Sequence, residues 1–122
     1  MGKVSMKGVI DMHVHTNPDL RTRAYDDFEL CDAAVRVGAR AIVIKTHLGY
    51  TANRAYLTNR YNERVHGKND FTMFGSVVLN SCIGGINPVA VENGQRWYGC
   101  LPPPPGTTWK SWASLRQAAW TW

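Results

Sequence analysis

Cysteine is scarce in this chain, and the few present exclude more than they offer. Cys31, Cys82 and Cys100 sit at no metal-ligand spacing, which argues against a zinc ribbon or finger. Their odd number and the lack of a secretory segment point to a reduced, cytoplasmic setting. No apolar run approaches the roughly 18 residues of a membrane span, so no membrane partner is expected. The glycine fingerprint of a dinucleotide site is missing after the first strand. A patterned basic face is missing too. Residues 1–95 hold 11 Lys+Arg against 9 acids, and the net charge of +5 is reached only with Arg96, Lys110 and Arg116. That argues against nucleic acid as a partner. At 122 residues there is room for one domain at most.

What is there begins with Gly8-Val-Ile-Asp-Met-His-Val-His-Thr16. Read as a β-strand with period two, it places Ile10, Met12 and Val14 on one face and Asp11, His13 and His15 on the other. Three potential metal ligands thus follow one another along the wet side. Alternate residues on a strand are about 6.5–7 Å apart, close enough for two imidazoles to tilt onto one cation. The strand then opens into the turn-type loop Thr16-Asn-Pro-Asp19. In α/β proteins, chemistry gathers just past such strand ends.

Asp19, Arg21 and Arg23 in that loop read as solvated residues, although an arginine there is well placed to hold an anion. Asp26-Asp-Phe-Glu29 opens a helix with a capping box, Phe28, Cys31, Ala34 and Val35 form its core face, and Gly38 stops it. A second strand covers Ala39 to His47. Lys45 and His47 project from its tip, on one face with Val43. Lys45 would hold an anionic substrate group, or act as a base if burial lowers its pKa. Thr51 reads as the N-cap of a second helix reaching His66, with Arg54, Arg60 and Arg64 along its polar side. His66 reads as a surface residue at the helix end. A third strand is expected over Phe71 to Asn80, with Asn80 facing substrate. Gly84-Gly85 makes a turn, and Asn87-Pro88 starts a third helix.

Three strand–helix repeats with short loops imply parallel strands and right-handed crossovers. The expected fold is therefore α/β: residues 1–95 as the first three β/α units of a (β/α)8 TIM-type barrel.

Asp11-Met-His-Val-His15 resembles the entry motif of the amidohydrolase superfamily, metal-dependent hydrolases on that barrel. Several segments resemble, more closely, an uncharacterised amidohydrolase-like family. These are His15-Thr-Asn-Pro-Asp19 with Arg23 and Asp26-Asp27, Ile44-Lys-Thr-His47, Thr51 with Arg54-Ala55, and Gly84-Gly-Ile-Asn-Pro88 with Ala90-Val-Glu92. The resemblance spans about Gly8 to Gln95. It implies that His13 and His15 hold a divalent metal ion, with zinc the expected one, and that a small molecule is the substrate. Asp11, Lys45, His47 and Asn80 become candidates for further ligands or substrate contacts. The superfamily's remaining ligands and its aspartate base come from strands four to eight, which this chain does not supply. The His-x-His is also shared with polymerase-and-histidinol-phosphatase barrels, so phosphoester hydrolysis is the alternative.

A barrel of this kind takes about 250 residues. Instead, all five tryptophans and four of the six prolines crowd into residues 96–122, where no period of 3.6 or 2 persists. A binding module using the Pro/Trp segment is one reading. A disordered tail is another; the reading we favour is an irregular tail translated out of frame. Tryptophan has the single codon TGG, so the neighbouring frame reads Val after Trp97, and suitable wobble bases give Val-Val-Trp-Leu-Pro, a fourth strand. The expectation is a truncated hydrolase with weak metal binding through two histidines and little turnover.

Overall fold

The computed structural model describes residues 4–97, with side chains to residue 94. The tail expected to be irregular therefore lies, from residue 98 on, outside the described residues, as does Cys100. The elements run β1 (Ile10–His15), α1 (Asp27–Val37), β2 (Ala41–Lys45), α2 (Ala52–His66), β3 (Thr72–Phe74), a 3-10 turn (Ser81–Ile83) and α3 (Pro88–Trp97). The three strands form one parallel sheet in the order β1-β2-β3. The α/β class and the parallel pairing are as the alternating pattern predicts. None of the described helices is long and apolar enough to cross a membrane.

Local chemistry sets the helix ends. Asp26 and Glu29 form the predicted capping box, with Glu29 N–H donating to Asp26 Oδ1 at 2.8 Å and Asp26 N–H to Glu29 Oε2 at 2.9 Å. Gly38 takes the left-handed conformation (φ 72°) and donates to the Ala34 and Val35 carbonyls, ending α1. The Asn87 side chain accepts from Ala90 N–H at the start of α3. Thr51 differs from expectation. It makes no side-chain cap, because its hydroxyl is buried and donates to the Ile44 carbonyl at 2.8 Å while accepting from Ser76 N–H at 2.7 Å. It ties β2 to the chain leaving β3.

β3 is shorter than the run Phe71 to Asn80 predicts. Gly75 passes so close to the backbone of Thr51 and Ala52 that a Cβ would collide with it. There the chain turns off the sheet, and Val77 pairs antiparallel with Tyr50 instead of extending the strand. Asn59 of α2 covers the outer edge of β3. Its amide donates to the Met73 carbonyl at 2.8 Å and accepts from Met73 N–H at 2.9 Å. An edge closed in this way offers no free ladder groups at Met73.

A bulge in β1 changes which residues share a face. Ile10 pairs with Ala41 and Asp11 with Ile42, but the next pairs are Val14 with Ile44 and His15 with Lys45. Three residues of β1 thus span two of β2. Side chains paired across parallel strands leave the sheet on the same side. Asp11 and Val14 therefore share the side of Ile42, Ile44 and Met73, while Ile10 and His15 share that of Val43 and Lys45. The strict alternation read from the sequence does not hold through Met12 and His13. Ile42, Ile44, Met73 and Phe71 join Cys31 and Ala34 of α1 and Ala55 of α2 in one core cluster. Met12 and Ile10, expected to face a core, are 70% and 56% exposed.

Candidate metal centre

The loop after β1 is fixed from two directions. Thr16 is buried, and its hydroxyl donates to the Asp27 carboxylate. Arg54, expected on the solvated side of α2, reaches across to the same carboxylate. Its Nε donates to Asp27 Oδ2 at 2.7 Å and its Nη2 to Oδ1 at 2.8 Å. The same guanidinium donates to the carbonyls of Asn17 (2.7 Å) and Pro18 (3.1 Å). A planar five-donor head is suited to this; an ammonium is not. Within the loop, Asn17 accepts from Arg23 N–H and donates to the Arg23 carbonyl, both at 3.0 Å. Residues 16–23 are thereby folded back over the ends of β1 and β2.

That fold buries Asp19. The sequence reading placed it in solvent, yet its side chain is 0% exposed. Arg23 donates twice to Oδ2, through Nε at 3.0 Å and Nη2 at 2.5 Å. Backbone N–H groups of Leu20 (2.9 Å) and His47 (3.0 Å) and the Thr46 hydroxyl (3.2 Å) converge on Oδ1. Burial alone would raise the Asp19 pKa. The donors from His47, Arg23 and Leu20 outweigh it and hold the carboxyl well below the usual carboxylate range. Asp19 is therefore ionised and accepts only.

This decides the tautomers of two histidines. His15 Nδ1 lies 2.9 Å from Asp19 Oδ2, and His47 Nδ1 lies 3.2 Å from both Asp19 oxygens. Facing an ionised carboxylate, each Nδ1 carries the proton and donates. In the neutral rings each Nε2 then keeps its lone pair. Burial lowers the His15 pKa, with the nearby Arg23 charge adding to it against the Asp19 hydrogen bond. The two rings stack, with centroids 4.8 Å apart and planes 20° from parallel. His13 completes the group: its Nε2–H donates to the His15 Nε2 lone pair at 3.2 Å, a proton that a shared metal ion would replace.

His15, Asp19 and His47 offer ligand atoms within 4.8 Å of one another. The donor chemistry fits zinc, since imidazole nitrogen is a preferred ligand. Two nitrogens bound tetrahedrally to one zinc at about 2.0–2.1 Å stand about 3.3–3.4 Å apart. The His13–His15 separation of 3.2 Å is close to that spacing. Asp19, saturated by cations and N–H groups, fits the orienting carboxylate behind metal-binding histidines better than a ligand of its own.

A model of a family of unknown function (DUF6282) matches residues 8–100. The chain belongs to that family. No curated protein and no solved structure gives a significant match. Every residue of the DUF6282 chain named at this site, from Asp11 to Asn80, lies inside the matched span.

The remaining candidates fall as follows. His47 joins the cluster. Asp11 uses its carboxylate locally, accepting from His13 N–H at 3.0 Å. Asn80, beyond the shortened β3, donates to the His47 carbonyl at 3.0 Å and so holds the His47 loop. Lys45 lies beside His15 in the register. Cys31 is core, its thiol pushed up to about 11 by burial. A separate groove of about 500 Å³ between α1 and α2, lined by Phe28, Leu57, Arg60, Tyr61, Arg64 and Val65, contains none of these residues. Asp19, Arg23 and Arg54, which lie in the resembling segments but read as solvated charges, are instead the residues that build the loop around the histidines. The Asp19/Arg23 spacing inside a short loop was the available signal.

Proposed function

We propose that this DUF6282 chain is the metal-holding part of an amidohydrolase-type enzyme on a TIM-type barrel, acting on the amide, ester or lactone carbon of a small molecule. His13, His15 and His47 hold a divalent ion, zinc by donor chemistry. Asp19 keeps His15 and His47 in the ligating tautomer, and Arg23 keeps Asp19 ionised. A zinc ion held there supplies Lewis acidity and lowers the pKa of water toward about 7. The observation that carries the reading is the approach of His13 Nε2 to His15 Nε2 at 3.2 Å beside a buried, fully bonded Asp19. Among the described residues no carboxylate at the cluster is free to act as base, because Asp19 is taken. Little turnover is therefore expected from this chain.

Calorimetric titration with Zn²⁺ tests the proposal. Three imidazoles should give one site of micromolar affinity, tighter than a two-histidine pair. His15→Ala should abolish it, and Asp19→Asn should weaken it by about 10–100-fold, as loss of an orienting partner does. Equal heats from the wild-type chain and His15→Ala would sink the reading.

A further inference from the structure

Lys45 ends the central strand, and its register partner across the sheet is His15. Strands are about 4.8 Å apart, and paired side chains leave on one side. The Lys45 side chain therefore leaves on the same side of the sheet as His15. It is half-buried, and among the described residues it has no hydrogen bond or ion pair. Its ammonium reaches solvent with no counter-charge among the described residues, which leaves it available to an anion.

The acids of this end of the sheet are all engaged. Asp19 receives Arg23, His15 and His47. Asp27 receives Arg54, and Asp26 caps α1. The segments 46–53 and 75–91, which border the cluster from β2 and β3, contain no Asp, Glu, Lys or Arg. Arg23 commits Nε and Nη2 to Asp19, and its Nη1 has no partner among the described residues. The histidine cluster is thus bordered by two cationic donors that reach solvent without a protein partner among the described residues, and by no acid in segments 46–53 and 75–91.

We infer that Lys45, helped by Arg23 Nη1, binds an anionic group of the substrate, a carboxylate or a phosphate, beside the histidines. This deepens the metal-hydrolase reading and rests on it: the anion anchors the molecule, and the bond to be broken lies toward His13 and His15. Lys45 is on this account a specificity residue and not a metal ligand. A charge-assisted hydrogen bond in a partly water-excluded site is strong enough to select anionic over neutral substrates.

The test uses the ¹⁵N-labelled full chain with one equivalent of Zn²⁺, titrated with acetate and separately with methyl phosphate, and followed by backbone amide shifts. Zinc affinity is measured in parallel by calorimetry. In Lys45→Met, anion binding should weaken by about tenfold or more, the size of one hydrogen bond to a charged group. Lys45→Arg should restore most of it, and zinc affinity should be the same in all three chains. A preference for acetate would assign a carboxylate to the substrate, and a preference for methyl phosphate a phosphoryl group; either supports the inference. Unchanged anion affinity in Lys45→Met, or no anion binding by the wild-type chain, overturns it while the metal reading stands. Loss of zinc together with the anion in Lys45→Met also overturns it, by making Lys45 part of the metal site or of the fold. Absence of zinc binding in the wild-type chain removes both readings at once.

Discussion

The two sides of the sheet are built on different principles. On the helix side, Ile42, Ile44 and Met73 meet α1 and α2 in an apolar cluster, and Asn59 seals the edge at β3. On the other side, His15 and Lys45 stand among polar loops, and the neighbouring β1 edge leaves Ile10 and Met12 largely exposed. The helix side is held by burial, which is non-directional and tolerates repacking. The histidine side is held by directional hydrogen bonds, with at least six donors on one carboxylate. Burial places strands; hydrogen bonds place individual atoms. The proposed metal centre would need the second kind of precision, and the hydrogen bonds around Asp19 are of that kind.

The sharpest way to break the contrast is to remove a side chain from each side of β2. Ile44 is 0% exposed. Ile44→Ala should cost about 3–4 kcal/mol, within the range for buried Ile, Leu or Met truncations. Val43→Ala, on the other side, should cost less than about 1.5 kcal/mol, since a half-buried valine gives up less area and leaves a site open to water. Urea denaturation followed by circular dichroism measures both. Equal losses would mean that the histidine side carries a core of its own.

Arg54 joins the two sides, and its truncation ranks next. Arg54→Ala leaves the buried Asp27 carboxylate without its cation and two loop carbonyls without a donor. The expected loss is about 2–3 kcal/mol, reduced from the range for a buried pair because Arg54 is 17% exposed. Arg54→Lys should recover only part, because a single ammonium cannot serve Asp27, Asn17 and Pro18 together. Zinc affinity should fall in parallel in Arg54→Ala, because the loop that positions Asp19 is released. Lost stability with unchanged zinc affinity would show that the clamp serves the fold alone.

Much of the helix side was legible in the sequence for the same reason that it is robust. The capping box at Asp26, the stop at Gly38 and the apolar spacing from Cys31 to Ala34 are local patterns, and local patterns can be read within a few residues. His13, His15, Lys45 and His47 were legible as residue types at strand ends. Asp19 and Arg54 were not. Asp19 meets His47 across 28 residues and Arg54 meets Asp27 across 27, and in sequence each looks like an ordinary charge in a loop or on a helix. The β1 bulge was hidden too, because an extra residue in one strand shows only against its partner. β3 was drawn too long because Val77, Val78 and Leu79 continue an apolar run. What ends the strand is the tight approach of Gly75 to α2, a fact of packing.

The two described cysteines give the mildest probe, one from each side. Cys31 is buried in the helix-side cluster, and Cys82 is exposed and donates to the His47 carbonyl. Burial, with some help from the Asp32 charge, pushes the Cys31 thiol from 9.0 up to about 11. The folded state therefore favours the neutral thiol more than the unfolded state does. The stability this contributes is complete below about pH 9 and is lost as pH rises through about 11, because unfolding then releases a proton. Tyr61, also shifted upward, acts in the same direction. Wild-type stability should fall between pH 8 and pH 10 by on the order of 1 kcal/mol more than that of Cys31→Ala, whose own loss of packing is independent of pH. In the native chain at pH 8, iodoacetamide should modify Cys82 readily while Cys31 reacts only as fast as the helix side opens. Reaction of both thiols at one rate would mean that the apolar cluster opens as easily as the loops, and the division between the two sides would fail.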